Sequence, residues 1–261
     1  MKIERIDILG VNVSNIHSID LLNAIDDTVQ IGSKGVFAYV NIHTVNLANR
    51  FPWLRDFLNN AKIAYADGEG IRLGARILGC FLPEKIALTR NIWDIAHLCE
   101  LRGYGIYLLG STSANAKLAQ ENLKRRFPAL RVHSHHGYFP LGENDMVVDD
   151  IQTHEPNVLI VGFGSPMQEE WIHKYQDRLN VNALLPGGAC IDYAAGAKPV
   201  CPLWISRIGL EWLFRFTYEP GRLFYRYFVG IPIFLLNILK QRIRGGKHPL
   251  RSIERLSAII L

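Results

Sequence analysis

The chain has 261 residues, of which 49% are hydrophobic and 20% charged, so a sizeable core is expected and global disorder is excluded. The cysteines form no CxxC pair, which argues against a disulfide scaffold and indicates reduced thiols in a cytoplasmic protein. The first seven residues carry acids where an export signal needs an apolar run, so no signal peptide is expected.

The net charge of +5 is unevenly distributed along the chain. Residues 198–261 carry +8, whereas the rest of the chain carries −3. A near-neutral body joined to a basic, aromatic-rich C-terminal segment indicates an anionic partner. Lipid headgroups, diphosphates and nucleic acid all have this character.

Apolar runs alternate with helical patterns over the first three quarters of the chain. In chain order they predict strands at 6–13, 35–41, 62–66, 105–111, 131–136, 157–164 and 183–188. The intervening helices are predicted at 18–30, 43–60, 71–78, 91–101, 113–127, 145–154 and 167–177. This alternation predicts an α/β, Rossmann-like fold: a mostly parallel sheet with helices on both faces.

The pattern changes after about residue 198. We therefore predict an α/β catalytic core over 1–198 and a basic, aromatic-rich helical appendage over 199–261, with helices at 203–218 and 221–244. The apolar stretch 228–239 has 12 residues, whereas a bilayer span needs about 20. An amphipathic segment lying in the membrane interface is therefore predicted, rather than a spanning helix.

The segment Ala66–Asp67–Gly68–Glu69–Gly70 ends a buried strand and leads into a helix. Open α/β sheets bind ligands at this end of their strands. The two glycines allow a tight turn and leave space beside the carboxylate. Asp67 is therefore a candidate catalytic acid or base; an Asp-Gly turn without chemistry is the alternative.

Small-residue turns follow two other strands. Gly110–Ser111 and Gly162–Phe163–Gly164 each precede a helix, where free N–H groups can bind an anion or nucleotide. Gln168 is expected in the first turn of the second helix, near a bound ligand. Neither turn fits the P-loop or the GxGxxG pattern, and a plain strand–helix connection is the alternative.

The sequence favours a site without a metal. His133 and His135 would share one face of a strand, but no cysteine or carboxylate stands near them at ligand spacing. No Asp-x-Asp sequence occurs either. A leaving diphosphate would then be neutralised by arginines and backbone amides.

Taken together, four signatures resemble the WecG/TagA/CpsF family of bacterial glycosyltransferases (glycosyltransferase family 26). They are Val40–Asn41, the Asp67 segment, the Gly162 to Trp171 segment with Gln168 and Glu169, and the C-terminal run Gly209–Arg215 with Glu219–Arg222 and Arg226–Tyr227. The sequence departs from the family pattern at Tyr39, where threonine is common, at Thr89–Arg90–Asn91 and at Val200–Cys201–Pro202.

The resemblance implies an inverting, metal-independent enzyme without a cofactor. Its expected partners are a UDP-sugar donor, a polyprenyl-diphosphate-linked acceptor and an anionic membrane surface, but not nucleic acid; a homo-oligomer is left open. It would work peripherally on the cytoplasmic face of the inner membrane, in cell-surface polysaccharide synthesis. The C-terminal appendage would reach the membrane and help complete the site.

The predicted site combines the residues and the resemblance. Asp67 and Asn41 are the expected catalytic pair, with Asp67 as the base. The expected substrate-binding residues are Tyr39, Gly110, Ser111, Gly162, Gly164, Gln168, Arg215, Arg222 and Arg226. Two other functions remain as alternatives: a nucleotide-dependent oxidoreductase on a similar sheet, and a non-catalytic membrane or nucleic-acid adaptor.

Overall fold

The computed structural model describes residues 3–202, 204–205 and 209–245. Its strands are β1 (Arg5–Ile8), β2 (Val11–Ser14), β3 (Gly35–Val40), β4 (Ile63–Ala66), β5 (Gly105–Gly110), β6 (Arg131–His135), β7 (Val158–Gly162) and β8 (Ala183–Pro186). Its helices begin with α1 (Ser18–Gln30), α2 (Ile42–Arg50), α3 (Pro52–Asn60), α4 (Glu69–Ile77), α5 (Leu88–Arg102) and α6 (Ser113–Arg126). They continue with α7 (Asn144–Thr153), α8 (Met167–Tyr175), α9 (Cys190–Ala194), α10 (Glu211–Tyr218), α11 (Pro220–Phe228) and α12 (Gly230–Arg244).

The main sheet has six parallel strands in the order β4-β3-β8-β7-β5-β6. Parallel neighbours bring all the strand carboxyl ends to one edge of the sheet. Strand β8 lies between β3 and β7, although it is the last strand in the chain. This topology confirms the predicted Rossmann-like α/β fold and places the turns after β3, β4, β5, β7 and β8 along the same edge.

Alternating side chains of the strands feed two separate hydrophobic cores, one on each face of the sheet. On the first face, Val40, Ala66 and Val161 pack with α2, α3, α4, α7, α8 and α12. On the other face, Phe37 and Ile160 pack with α1, α5, α6 and α9. Both faces of the sheet are therefore covered, as the near-continuous apolar strands require.

The prediction of a single strand over 6–13 is wrong, because these residues form a β-hairpin. Leu9 and Gly10 have φ values of 54° and 84°, which turn the chain back so that β1 pairs antiparallel with β2. The hairpin forms its own two-stranded sheet beside β4, where Ser14 Oγ accepts a hydrogen bond of 3.2 Å from the Ala64 N–H.

The predicted helix 43–60 is also two helices. It breaks at Phe51 because Pro52 lacks an N–H and disfavours a helical residue before it. The first of these helices, α2, is capped by Asn41, whose Oδ1 accepts the Thr44 N–H at 3.1 Å. Asn41 is thereby fixed at the carboxyl end of β3.

The C-terminal segment contains α10, α11 and α12 where two helices were predicted. Helix α12 returns to the body: Phe234 and Ile238 are 0% exposed in the first core, and a Cβ on Gly74 of α4 would lie only 2.8 Å from Phe234. Gln241 hydrogen-bonds Asp7 and Leu9 of the hairpin. Residues 203, 206–208 and 246–261 of the predicted appendage lie outside the described residues.

Helices α11 and α12 together form a run, Pro220–Arg244, of 25 residues. By length and composition alone this run is apolar enough to cross a membrane, and 22% of its most apolar window is buried against the rest of the protein. The burial of Phe234 and Ile238 accounts for part of its apolar character.

Candidate active site

Asp67 and Asn41 lie next to each other at the carboxyl ends of two neighbouring strands. Val40 and Ala66 are aligned across β3 and β4, and the Asp67 N–H bonds the Val40 carbonyl at 2.8 Å. The Asn41 Nδ2 donates to Asp67 Oδ2 at 3.4 Å, a long hydrogen bond. Gly68 follows with φ of 103°, a conformation that a side chain would strain. The pairing of β3 with β4 therefore brings Asp67 and Asn41, the predicted catalytic pair, together.

The Asp67 carboxyl lies deep in the protein but opens to a cleft. Burial raises its pKa above the ordinary 3.8, and the nearby Glu211 adds to that rise. Arg215, Asn41 and Arg226 oppose the rise by favouring the ionised form. A carboxylate held in this balance is a stronger base than an exposed one and still has partners for its charge.

The cleft above Asp67, which we call the main cleft, has a volume of about 610 Å³ and suits a small-molecule ligand. The body supplies one wall and the C-terminal helices the other. Its lining residues are Asn41, Ile42, His43, Asp67, Gly68, Glu69, Gly70, Arg72, Leu73, Arg76, Lys85, Gly209, Glu211, Trp212, Arg215, Arg226, Tyr227, Ile231 and Leu235.

The predicted arginines are placed differently from one another. Arg215 lines the main cleft and forms an ion pair of 2.7 Å with Glu211, which also pairs with Lys85 at 2.5 Å. Arg226 lines the cleft and, within the part of the chain described, forms no ion pair. Burial lowers the pKa of Arg226. Arg222 lies outside the cleft lining, exposed and paired with Glu219.

A partly buried cation without a carboxylate partner is costly in an empty site, so Arg226 marks a position suited to an anion. His43, which the sequence did not single out, also lines this region. Burial, together with Arg226 and Arg222, lowers the His43 pKa to about 4, so this side chain is neutral at pH 7. The inner cleft thus combines a base, arginines and a neutral imidazole.

The predicted glycines form a second group at the ends of β5, β7 and β8. A Cβ on Gly110 would lie 2.6 Å from the Gly162 carbonyl oxygen, and one on Gly162 would lie 2.8 Å from that of Gly188. Gly164 has φ of 83°. Only glycine fits this close approach of three turns.

Ser111 joins this group to a carboxylate that the sequence analysis missed. Ser111 adopts φ of 61°, uncommon for a residue with a side chain and frequent at functional sites. Its hydroxyl donates to Asp192, which also accepts from Asn115 at 3.1 Å and lies 3.6 Å from Lys198 Nζ. Asp192 lies on α9, a five-residue helix too short for its periodicity to be recognised.

Gln168 is fully buried, and its amide is held by protein on both sides. Its Oε1 accepts the Gly188 N–H at 2.8 Å and the Gly164 N–H at 3.2 Å. Its Nε2 donates to Tyr39 Oη and to Glu169 Oε1, each at 2.8 Å. Gln168 therefore ties the turns after β7 and β8 to β3 and does not face the main cleft.

Glu169 completes this network from inside. It is 1% exposed, and its Oε1 also accepts from Ser165 Oγ at 2.7 Å, which in turn bonds Tyr39 Oη at 2.9 Å. Among the described residues, its Oε2 has no hydrogen-bond partner. Burial raises the Glu169 pKa, while Gln168 and Ser165 oppose that rise. Short-range sequence patterns give no sign that this acid is buried.

The histidines near β6 stack on one another instead of converging. The His133 and His154 ring centroids lie 3.9 Å apart, and those of His135 and His136 lie 4.4 Å apart. Within residues 3–202, 204–205 and 209–245, no group of three or more His, Cys, Asp or Glu side chains is arranged to hold a metal ion.

Known proteins resemble this chain over most of its length. A profile of the Glycosyl transferase WecG/TagA/CpsF family matches residues 6–248. The chain is similar to the N-acetylglucosaminyldiphosphoundecaprenol N-acetyl-beta-D-mannosaminyltransferases of Staphylococcus aureus strains MRSA252 and NCTC 8325 / PS 47. Each is 28% identical over 243 residues, which cover 91% of this chain and 93% of the relative.

Proposed function

The chain belongs to the WecG/TagA/CpsF family of glycosyl transferases, and on this basis we propose that it transfers a sugar from a UDP-sugar to a polyprenyl-diphosphate-linked saccharide, with inversion and without a metal. The acceptor class follows the printed activity of the relatives, whose acceptor is N-acetylglucosaminyldiphosphoundecaprenol. The enzyme is a glycosyltransferase, so the oxidoreductase and adaptor alternatives have no support.

The observation that carries the proposal is that Asp67 and Arg226 both line one cleft. The cleft offers a base whose pKa is raised and a cation without an ion-pair partner among the described residues. Transfer of a sugar from a nucleoside diphosphate to a hydroxyl needs both. A base takes the proton of the hydroxyl, and a positive charge stabilises the leaving diphosphate.

In the proposed reaction, the acceptor hydroxyl attacks the anomeric carbon of the donor sugar in one step. The Asp67 carboxylate takes the hydroxyl proton as the new C–O bond forms. The bond between the anomeric carbon and the UDP oxygen breaks on the opposite face, and UDP leaves with the bonding electron pair. Asn41 holds the Asp67 carboxylate in place, and the configuration at the anomeric carbon inverts.

We assign the donor to the turns after β5, β7 and β8. Gly110, Ser111, Gly162 and Gly164 lie at strand ends beside the N-termini of α6 and α8, where a nucleotide diphosphate is favoured. Gln168 and Tyr39 contribute indirectly, because they hold these turns against β3. Arg215 and Arg226 would neutralise the diphosphate charge, with Arg222 outside the cleft as a secondary contact.

We further propose that the enzyme binds the cytoplasmic membrane surface peripherally through its C-terminal helices. Large apolar side chains are exposed there next to basic residues, as in interfacial segments. They include Trp212, Leu213, Tyr218, Phe224, Tyr225, Phe228, Ile233, Leu236, Leu239 and Ile243. The core position of Phe234 and Ile238 supports a helix lying on the membrane rather than spanning it.

A screen of UDP-sugars against an N-acetylglucosaminyl-diphosphate-prenyl acceptor, read by mass spectrometry, tests the proposal. One UDP-sugar should add a single sugar to the acceptor, and the anomeric configuration of the product should be opposite to that of the donor. Turnover of a lipid-phosphate sugar donor but of no UDP-sugar would contradict the donor assignment. A product with retained configuration would contradict the single displacement.

A further inference from the structure

The main cleft continues past Asp67 between α4 and α12. On α4, its lining residues Glu69, Leu73 and Arg76 recur every three to four positions and so lie on one face of the helix. At 1.5 Å per residue, Glu69 and Arg76 are about 10 Å apart along the axis. The cleft therefore extends outward from the candidate catalytic pair for about two helical turns.

Helix α12 forms the opposite wall and runs in the same direction as α4. Phe234 packs on Gly74, and farther along both helices Arg242 bonds the Leu78 carbonyl at 2.9 Å. Ile231 and Leu235 of α12 line the cleft. The α12 wall of the outer cleft is thus aliphatic, whereas the α4 wall has Leu73 between Glu69 and Arg76.

The apolar lining of α12 does not stop where the cleft opens. Ile231, Leu235, Leu239 and Ile243 are spaced by four residues and form one stripe on the helix. Ile231 and Leu235 are partly buried, Leu239 is 48% exposed and Ile243 is 80% exposed. The stripe therefore leads from the enclosed cleft onto the open surface.

We propose that this stripe, together with Leu73 of α4, binds the first isoprenyl units of the lipid-linked acceptor. We call it the prenyl track. The proposal rests on the proposed function, since it follows the same acceptor outward from its reacting sugar. The order of chemistry along the cleft matches the order of groups in such a molecule: Asp67 for the reacting sugar, the α4 wall with Arg76 for the acceptor diphosphate, and the aliphatic side chains of α12 for the hydrocarbon.

The burial pattern supports a hydrocarbon chain over another occupant. Leu235 and Leu236 are neighbours on α12, but only Leu235 lines the cleft, whereas Leu236 is 58% exposed on the open side. The enclosed part of the track is continuous with the catalytic cleft, since Ile231 and Leu235 line both. A second copy of the chain would instead cover the open side.

The test compares two acceptors in solution without vesicles, each an N-acetylglucosaminyl diphosphate: one with a methyl group in place of the prenyl chain and one with four isoprenyl units. The variants are Leu235→Gln inside the track and Leu239→Gln on its exposed continuation. The matched control is Leu101→Gln, on a leucine that is 70% exposed on α5, away from the cleft. The measured quantities are kcat and KM for each acceptor, with the molar mass of each protein in solution.

The wild type and Leu101→Gln should have a lower KM for the longer acceptor than for the shorter. In Leu235→Gln and Leu239→Gln the ratio of the two KM values should shrink on the order of tenfold, because the apolar contact with the chain is lost. Activity on the short acceptor shows that a variant is folded. Because Leu239 is exposed, its variant keeps the test valid if Leu235→Gln does not fold.

Chain-length dependence retained in both track variants would overturn the proposal. A wild-type dimer that Leu239→Gln converts to a monomer would also overturn it, since a second copy would then occupy the surface. Absence of wild-type turnover on both acceptors would instead refute the proposed function. Turnover on both acceptors with no preference for the longer one would refute the track alone.

Discussion

At the residue scale, the properties of Asp67 come from opposing neighbours. Burial and Glu211 raise its pKa, whereas Arg215, Asn41 and Arg226 lower it. Because the net shift is upward, the ionised form of Asp67 costs stability at neutral pH. A group of this kind is kept for reactivity rather than for folding.

Asp67→Asn should lower kcat by about 10²- to 10⁴-fold, because an amide cannot accept the acceptor proton. The variant should be at least as stable as the wild type near pH 7 in urea unfolding, since the substitution removes a buried charge. Turnover within about threefold of wild type would remove Asp67 from the mechanism. Loss of stability at neutral pH would contradict the electrostatic account.

The pH dependence of the wild type should report the same carboxyl. The base must be ionised, so kcat/KM should fall as the pH drops through the raised Asp67 pKa. The acidic limb of the profile should therefore lie above pH 3.8, the ordinary value. A rate that stays constant down to pH 4 on a stable protein would contradict this.

Glu169 gives a second pH-dependent prediction, in stability. The pKa of Glu169 in the folded protein is raised above 4.5. Its contribution to the free energy of unfolding is therefore fully present below about pH 4.5 and is lost as the pH rises through the folded pKa. Glu169→Gln keeps the shape and removes that loss. The variant should therefore gain about 1–3 kcal/mol over wild type as the pH rises. Urea unfolding from pH 4 to pH 9 measures this, and a difference between the variant and the wild type that stays constant over the whole range would contradict it.

Local sequence predicted Asp67 and Asn41 because an acid and an amide follow adjacent buried strands. Together with the family resemblance it also selected Arg215, Arg222 and Arg226, of which Arg222 lies outside the main cleft. It could not predict the surroundings of His43, Asp192 or Glu169, because they are made by segments far away in the chain. It also could not predict that Gln168 would be fully buried, since its partners come from three separate turns.

At the element scale, α12 has two roles that one apolar stretch does not distinguish. Phe234 and Ile238 face the core, whereas Leu236 and Leu239 face outward. Deleting the C-terminal segment would therefore strip core contacts as well as membrane contacts. The predicted strand 6–13 and helix 43–60 failed for a simpler reason: a single turn, at Leu9–Gly10 or Pro52, divides each apolar pattern.

Point substitutions test membrane binding more cleanly than truncation. Phe224 and Phe228, 57% and 52% exposed with ring centroids 5.0 Å apart, should insert into anionic vesicles. Binding of the wild type should weaken with salt but persist, because about 1 kcal/mol per basic residue is screened and apolar insertion is not. The Phe224→Glu/Phe228→Glu double variant should lose the part of vesicle binding that resists salt.

The control for the double variant is Leu141→Glu, on a side chain that is 91% exposed on the body. This variant should bind vesicles like the wild type. Equal loss in the control and the double variant would mean that added charge, not a specific surface, weakens binding. Absence of wild-type binding at low salt would refute the peripheral membrane proposal.

At the scale of the whole molecule, the alternation of apolar strands and helices was enough to predict a parallel sheet. The spacing of apolar residues within each element identifies it as a strand or a helix. The strand order was not predictable, because the sequence does not state which strands become neighbours. The sequence also showed that positive charge is concentrated in the C-terminal segment. It could not show that α10 and α11 bring part of this charge over the main cleft, because that is a tertiary arrangement.

The absence of Asp-x-Asp leads to a prediction for the whole enzyme: activity should survive EDTA. Arginines in the cleft would supply the positive charge that a divalent ion supplies elsewhere. Transfer rates measured with and without millimolar EDTA should agree within error. Full loss with EDTA that Mn²⁺ or Mg²⁺ restores would establish a metal-dependent enzyme.

The position of β8 also sets the order in which the protein can fold. Strands β3 and β4 form one pair and β5, β6 and β7 another set, and the two are joined only through the four residues of β8, which follow both in the chain. During synthesis the sheet therefore stays in two parts until residues 183–186 have emerged. The long sequence separation between β3 and β8 should make their pairing slow. In pulse-labelled hydrogen exchange, amides of β8 should gain protection after those of β4 and β5, and simultaneous protection of all the strands would contradict this order.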